Sequence, residues 1–284
     1  MELFMYTSDG WKDYEIIEAA DGMKTERWDS VVLKRPDPQV IWKEEGKSKV
    51  KIDAVYHRSK SGGGKWEFFR ELPERWTVSY RNLKFYVRPT GFKHTGLFPE
   101  QAVNWDYISE RVRRHGKCSV LNLFAYTGGA TLAAAEAGAS VVHVDASKGM
   151  VAWAKENLAL SGLADRYVRF IVDDCEKFII REIKRGHRYD GIIMDPPSYG
   201  RGPGGELWKM EDKIYDFARL CAGLLSDDPA FFIINSYTTG LAPSVVKNII
   251  SLALGANAAA DEIGLPITKS GLYLPCGATG RLEV

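Results

Sequence analysis

The strongest constraint on how this chain folds is a change in its pattern near residue 117. From there on, short apolar runs alternate with stretches of helical periodicity, which predicts a mostly parallel sheet covered by helices. Five strands are expected, at Ser119–Phe124, Ser140–Val144, Val168–Val172, Gly191–Met194 and Ala230–Ile234. Between the last two, the segment Glu206–Leu225 sets Leu207, Met210, Ile214, Phe217, Leu220 and Leu224 at steps of three and four, one apolar face of a helix. Ser147 reads as a helix N-cap and Gly162 as a stop. Pro243 falls in a first helical turn, where its missing N–H has no intrahelical partner to lose.

The part before this change reads differently. Residues 1–96 carry β-prone runs at Val31-Val32-Leu33, Gln39-Val40-Ile41-Trp42, Trp76–Tyr80 and Leu83–Val87, separated by Asp21-Gly22, Pro36-Asp37-Pro38 and Ser61-Gly62-Gly63-Gly64. The Gly-Gly-Gly-Lys at 62–65 lacks the upstream glycine and the following Ser/Thr of a phosphate-binding loop, so it is read as a hairpin tip. A chain of 284 residues has room for two domains, since one commonly spans about 100–200 residues. The expected division is a small β-rich domain at 1–96 that presents the substrate and an α/β domain at 97–284.

Composition narrows the class further. With 45% hydrophobic and 26% charged residues, wholesale disorder is excluded. The first nine residues lack the basic region and apolar stretch of a secretory signal, and no run is apolar enough to span a membrane, so a cytoplasmic location is expected. Cys118, Cys175, Cys221 and Cys276 are widely separated without Cys-x-x-Cys spacing; reduced thiols and no metal are expected. The net charge of +1 hides an uneven distribution, for residues 43–93 hold 13 Lys/Arg against 6 Asp/Glu. Trp66, Phe68, Phe69, Trp76, Tyr80, Phe85 and Tyr86 are interleaved with them. Such a stretch suits phosphate contacts with base stacking, and a solvated face over a β core would carry the same residues.

Four signals carry chemistry. The first is Val120–Thr131, an apolar strand running through Gly128-Gly129 into an alanine-rich helix, where glycine lets backbone approach a ligand. It lacks the full G-x-G-x-x-G of a dinucleotide site, which leans away from NAD without excluding it. The second is Asp145 at the end of the next strand, placed to accept the hydroxyls of a ribose or to act as a helix N-terminal acid. The third is Asp173-Asp174, of which one is suited to meet an adenine amino group and the other to cap a helix. The fourth is Asp195-Pro196-Pro197-Ser198-Tyr199, an acid and two prolines that aim backbone carbonyls and a ring at one point, fit to grip a planar base or to make a structural turn.

In this order, and with Asn235-Ser236-Tyr237 on the fifth strand, these motifs resemble the RlmI/RlmK-type methyltransferases, which modify bacterial large-subunit ribosomal RNA. The resemblance spans roughly residues 85–275 and includes Lys93–Gln101. It implies a class I, seven-stranded Rossmann-like methyltransferase that uses S-adenosylmethionine, releases S-adenosylhomocysteine and takes ribosomal RNA as partner. It further implies that Phe124, Ala125, Tyr126, Thr127, Gly128, Asp145, Ala146, Ser147, Asp173, Asp174 and Asp195 bind the cofactor, with Phe98 and Gln101 from the preceding segment. Asp195, Pro196, Pro197, Ser198, Tyr199 and Tyr237 are then expected to hold the acceptor. Cytosine-C5 enzymes of this group resemble one another in a nucleophilic cysteine after the fifth-strand serine. Here Tyr237 follows Ser236 and no Cys lies within Ala230–Gly240, which favours a nitrogen acceptor. Two other readings stay open at this level: a methyltransferase acting on a small molecule or protein side chain, and a Rossmann-like nucleotide-binding oxidoreductase.

Overall fold

The computed structural model describes residues 5–8, 10–43, 48–59, 63–201, 207–238 and 240–283. They form two compact units. One comprises Val103–Ile263 and Gly277–Val284 with the start of the chain up to Tyr6; the other comprises Thr7–Ala102 and Gly264–Cys276. No helix among the described residues is long and apolar enough to cross a membrane.

After β1 (Met5–Thr7), the β-rich unit is built from β2 (Tyr14–Ala20), β3 (Met23–Trp28), β4 (Val31–Pro36), β5 (Ala54–Arg58) and β6 (Gly64–Phe68), which lie in that order in one sheet. A separate hairpin pairs β7 (Trp76–Tyr80) with β8 (Leu83–Val87). Alternation decides the buried face: on β4, Val31, Leu33 and Arg35 are buried while their neighbours are half-buried. The antiparallel β5–β6 pair makes the glycine-rich turn a hairpin connection, with Gly63 left-handed at φ +70°; Ser61 and Gly62 lie outside the described residues. Gln39–Trp42, expected as a strand, is not one. Val40 and Ile41 spend their N–H groups on the local turn, on Asp37 O and Gln39 O. The carbonyls of Val40 and Trp42 instead accept from Gly22 and Asp21, and the Trp42 indole donates to Ala19 O at 2.7 Å.

This unit buries an ion pair. Glu26 is fully buried and accepts two hydrogen bonds from Arg35, at 2.6 and 2.7 Å, and one from the Tyr14 hydroxyl at 2.7 Å. Arg35 also donates to Lys93 O and lies over the Trp28 ring. Burial opposes the charge on Glu26, but Arg35 and Lys24 outweigh it and hold the carboxyl at about 2.

The second unit begins with α1 (Ala102–His115) and then alternates β9 (Ser119–Leu123), α2 (Gly129–Glu136), β10 (Ser140–Asp145), α3 (Lys148–Leu160), β11 (Val168–Val172), α4 (Cys175–Lys184) and β12 (Gly191–Met194). A short hairpin, β13 (Tyr199–Arg201) with β14 (Leu207–Lys209), precedes α5 (Met210–Ala222), β15 (Phe231–Ser236), α6 (Pro243–Leu254), β16 (Ala258–Pro266) and β17 (Tyr273–Leu282). The sheet order is β1-β16-β17-β15-β12-β9-β10-β11, so the seven expected strands are joined by an eighth from the start of the chain. Strands β11, β10, β9, β12 and β15 pair in parallel, whereas β17 runs antiparallel to β15. The chain steps from β9 to one side for β10 and β11, then returns to the other side for β12. That reversal opens a crevice at the carboxyl ends of β9 and β12.

The helix expected from Glu206 begins at Met210. Met210, Ile214, Phe217 and Leu224 are buried as the spacing predicts, but Leu207 is exposed on β14. Pairing of Leu207–Lys209 with Tyr199–Arg201 supplies backbone partners that the first helical turn would lack, and the Trp208 indole fixes the strand by donating to Pro197 O at 2.6 Å.

Replacing Glu26 by Gln leaves Arg35 buried without its counter-charge, so Glu26→Gln is expected to destabilise the β-rich unit by about 3–5 kcal/mol, read by urea unfolding at pH 7. Because the folded carboxyl titrates near 2 and an ordinary one near 4.5, the pair's contribution is complete above pH 4.5 and disappears as pH falls towards 2. The gap between wild type and Glu26→Gln should therefore narrow over that window.

Candidate active site

Four loops meet at the crevice. Beyond β9 the backbone turns through Phe124 (φ +54°), Tyr126 (φ +51°) and Gly128 (φ +92°) before α2 begins. Left-handed backbone costs roughly 1–2 kcal/mol at a residue bearing Cβ, so the surroundings must enforce it at Phe124 and Tyr126. They do so at several points. The Phe124 N–H donates to Cys175 Sγ at 3.3 Å, the Ala125 N–H to Val144 O, and the Tyr126 N–H to Asp145 Oδ2 at 2.9 Å. The buried Asn157 amide of α3 donates to Thr127 O at 3.0 Å. A Cβ on Gly128 would lie 3.1 Å from Ala154 Cβ, and one on Gly129 would enter the Trp105 ring at 2.5 Å.

Asp145 ends β10 and faces this loop. Oδ1 accepts from the Ser147 N–H at 2.8 Å while Oδ2 holds Tyr126. Burial raises the carboxyl above its ordinary pKa, and the two amides pull it part of the way back. A carboxylate offers about four acceptor positions, so each oxygen retains one for a vicinal diol. Ser147 caps α3 by accepting from the Met150 N–H, and Ala146 lies exposed between the two.

The acids after β11 have separate roles. Asp173 pairs with Arg181 and accepts the Asp174 N–H, so its carboxylate is tied into the start of α4. Asp174 is the N-cap of α4, with Oδ1 accepting from the Lys177 N–H at 2.9 Å.

Asp195 follows β12, with its N–H directed at Leu123 O on β9. Pro196 is buried and Pro197 exposed, Ser198 is half-buried, and Tyr199 at 59% exposure starts the hairpin. Ser198 Oγ accepts from the Thr238 hydroxyl at 2.8 Å, which ties this corner to the exit of β15. Tyr237 is half-buried beside Gly277, where a Cβ would meet Ser236 O at 2.6 Å and the Tyr237 ring at 3.1 Å. The loop and the corner share one support, since Phe124, Trp208 and Phe217 form a mutual aromatic cluster with centroids 5.2–5.5 Å apart.

The expected residues Phe124–Gly128, Asp145–Ser147, Asp173, Asp174, Asp195–Tyr199 and Tyr237 thus all lie beyond the carboxyl ends of neighbouring parallel strands. Phe98 and Gln101 belong to the other unit, at a single 3-10 turn, Pro99–Gln101, in which Gln101 is buried. Four supporting residues went unread: Asn157, Trp105, Trp208 and Thr238. Asn157 alone had a signal, a polar residue among Val151, Ala154 and Leu158 on the buried face of α3.

The amino-acid sequence matches a family model described as S-adenosylmethionine-dependent methyltransferase over residues 43–232. A ribosomal RNA large subunit methyltransferase K/L from Shewanella baltica is 38% identical over 151 residues, 53% of this chain and 20% of that protein. Its counterpart from Shewanella frigidimarina is 30% identical over 222 residues, 76% of this chain and 30% of that protein. The chain therefore spans only 20–30% of the length of these curated relatives. The crystal structure of a SAM-dependent methyltransferase from Agrobacterium tumefaciens superposes with a TM-score of 0.92 at 35% identity, covering 98% of this chain and 92% of that one.

Removing the Asp145 carboxylate should weaken S-adenosylhomocysteine binding at least tenfold, about 1.4 kcal/mol, in a protein that still folds. Calorimetry on Asp145→Ala reads the affinity and circular dichroism the fold; an unchanged affinity in a folded variant removes Asp145 from the site. Gly128→Ala carries a different signature. It should lower stability by roughly 1–2 kcal/mol through its left-handed φ, together with cofactor affinity.

Proposed function

Since this chain belongs to the S-adenosylmethionine-dependent methyltransferase family, we propose that it methylates a ring nitrogen or exocyclic amine on a base of ribosomal RNA. The observation that carries the acceptor side is the corner at Asp195–Tyr199. It stands at the sheet's reversal point, tied to β15 by Ser198–Thr238, with an exposed Pro197 and an exposed Tyr199 ring beside a carboxylate. RNA is supported by the names of the curated relatives and by the basic, aromatic stretch at 43–93, and the β-rich unit is assigned to presenting it.

When bound, the cofactor supplies a methyl group on a positively charged sulfonium. Asp145 takes the ribose hydroxyls through the free acceptor positions on its two oxygens. Phe124–Gly128 line the methionine part, and Asp174 meets the adenine through Oδ2, since Oδ1 is engaged by α4. A target base inside a duplex must first be flipped out, at a cost of about a few kcal/mol, and Pro197 and Tyr199 offer it faces to stack on. Asp195 accepts the amine N–H and takes the proton as the nitrogen acquires its methyl group. Positioning of the two reactants in line, with water excluded, is the main source of acceleration.

Carbon chemistry needs a thiolate to add to the pyrimidine ring. Cys118, Cys175 and Cys221 are buried, with the Cys118 thiol pushed up to about 12 by burial, and burial also holds the Cys276 thiol well above its ordinary value. Transfer of tritiated methyl to RNA, protein and metabolite fractions, followed by nucleoside mass spectrometry, should place label in RNA as an N-methylated nucleoside. Label in 5-methylcytosine would overturn the nitrogen acceptor, and label confined to protein or metabolites would overturn RNA.

Two variants test the roles. Asp195→Ala should lower kcat more than it lowers cofactor affinity, because the carboxylate acts where the two reactants meet; near-full turnover would remove it from the mechanism. Tyr237→Phe should be mild and Tyr237→Ala severe in turnover with the fold intact. Equal losses of stability and activity in Tyr237→Ala would reduce the residue to packing.

A further inference from the structure

Outside the crevice, the β-rich unit has a surface that the methyl-transfer chemistry leaves without a task. β6 is one edge of its sheet. On β5 the face holding Ala54 and Tyr56 is buried, but across the ladder the same face of β6 is Trp66 and Phe68, and Phe68 is 51% exposed. The Trp66 and Phe68 rings stack at 6.4 Å with 29° between their planes, and the Tyr56 ring meets Trp66 edge-on at 5.4 Å. The Trp66 indole donates to Thr90 O and Phe92 O, so Phe92, at 65% exposure, is held beside it. Two rings on one sheet edge, with a third aromatic residue tethered to them through its backbone carbonyl and two of the three mostly open, are a liability for a protein without a partner there.

The charges around the rings point to what that partner is. Arg58 continues the Ala54–Tyr56 face by the two-residue period of a strand and is exposed, opposite Gly64. Lys93 follows Phe92 directly and is half-buried, with Nζ near Pro36 O. Burial and the repulsion of Lys24, Arg35 and Arg58 hold its ammonium below the ordinary lysine pKa against the pull of Asp37, and His94 is pushed down to about 4 by burial and by Arg35, Lys93 and Lys24. Arg58 and Lys93 thus set two cations beside the rings, to which a polyanion is the complement. Flat apolar rings flanked by cations match single-stranded nucleic acid, whose bases stack while its phosphates meet the charges.

We propose that the β6 edge is a binding platform for single-stranded RNA, with bases stacked on Trp66, Phe68 and Phe92 and phosphates on Arg58 and Lys93. The inference rests on RNA being the substrate, and deepens that reading by assigning a surface that holds the strand.

The test uses the full chain and a fluorescein-labelled single-stranded RNA of mixed sequence, about 12 nucleotides long, read by anisotropy. The double variant Phe68→Ala/Phe92→Ala should bind it about tenfold or more weakly, with S-adenosylhomocysteine affinity and melting temperature unchanged. Restoring aromatic faces as Phe68→Tyr/Phe92→Tyr should recover most of the binding. Arg58→Gln should reduce the slope of log affinity against log salt by about one while weakening all sequences alike. If wild type binds the RNA and the alanine double variant binds it equally well, the platform is wrong and the RNA reading stands. Failure of wild type to bind any RNA overturns both. If the same substitutions change the sedimentation of the protein instead, the occupant is a second copy of this chain and the proposal falls.

Discussion

The site depends on one carboxylate. Asp145 ends β10, holds the start of α3 through Ser147 and holds the loop after β9 through Tyr126, with bonds of 2.8 and 2.9 Å. Without it the Tyr126 N–H loses its carboxylate acceptor, and Tyr126 sits at φ +51° where a side-chain-bearing residue has reason to leave. Burial works against the charge on Asp145, and two amides compensate it only in part. A half-satisfied carboxylate in a shielded place gains from further donors, so the interaction that shapes the loop also leaves Asp145 open to them.

The corner after β12 is built by a different device. The conformation of Asp195–Tyr199 is set by the hairpin β13–β14, by the Met210 N–H at the start of α5 on Ser198 O, by Trp208 on Pro197 O and by Thr238 on Ser198 Oγ. Because Trp208 also packs on Phe124 and Phe217, the loop after β9 and the corner after β12 rest on the same aromatic cluster. A common support keeps the two from drifting independently.

Much of this was legible in the amino-acid sequence, and the pattern of what was not has a physical basis. Val168–Val172, Gly191–Met194, Trp76–Tyr80 and Leu83–Val87 appear with the bounds expected, because continuous or alternating apolar runs are local signals. The strand-end acids could be read together because parallel strands put all their carboxyl ends on one edge. What failed was decided by distant partners. Gln39–Trp42 has β composition but spends its N–H groups in a turn, and Leu207–Lys209 has helical spacing but finds β13 first. Gly264–Cys276 joins Thr7–Ala102 across most of the chain's length, and β1 joins β16; no periodicity records such pairings. Asn157, Trp105, Trp208 and Thr238 share this character, since each acts on a residue far from it in sequence or in a loop without a pattern.

The two buried guanidinium groups show how differently one chain can solve the same problem. Arg35 in the β-rich unit is matched by a full counter-charge, Glu26, with Tyr14 and Lys93 O completing the hydrogen bonds. Arg281 on β17 is given neutral acceptors: its Nε and Nη2 donate to Asn104 Oδ1, and its plane lies between the rings of Tyr6 and Tyr107 at 4.2 and 4.3 Å. Burial lowers its pKa, and the aromatic faces compensate with their quadrupoles. The neutral solution has a structural consequence the ionic one lacks. With Asn104 Oδ1 committed to Arg281 and to Thr279, its Nδ2 is left to donate to Asn235 Oδ1 at 2.9 Å, which fixes the amide at the end of β15 just before Ser236 and Tyr237. A carboxylate at position 104 would pair more strongly with Arg281 and would have no proton to give Asn235. The amide accepts a weaker partnership with the cation and in return carries the order of β17 and α1 to the strand end where the Asp195–Tyr199 corner is tied through Thr238.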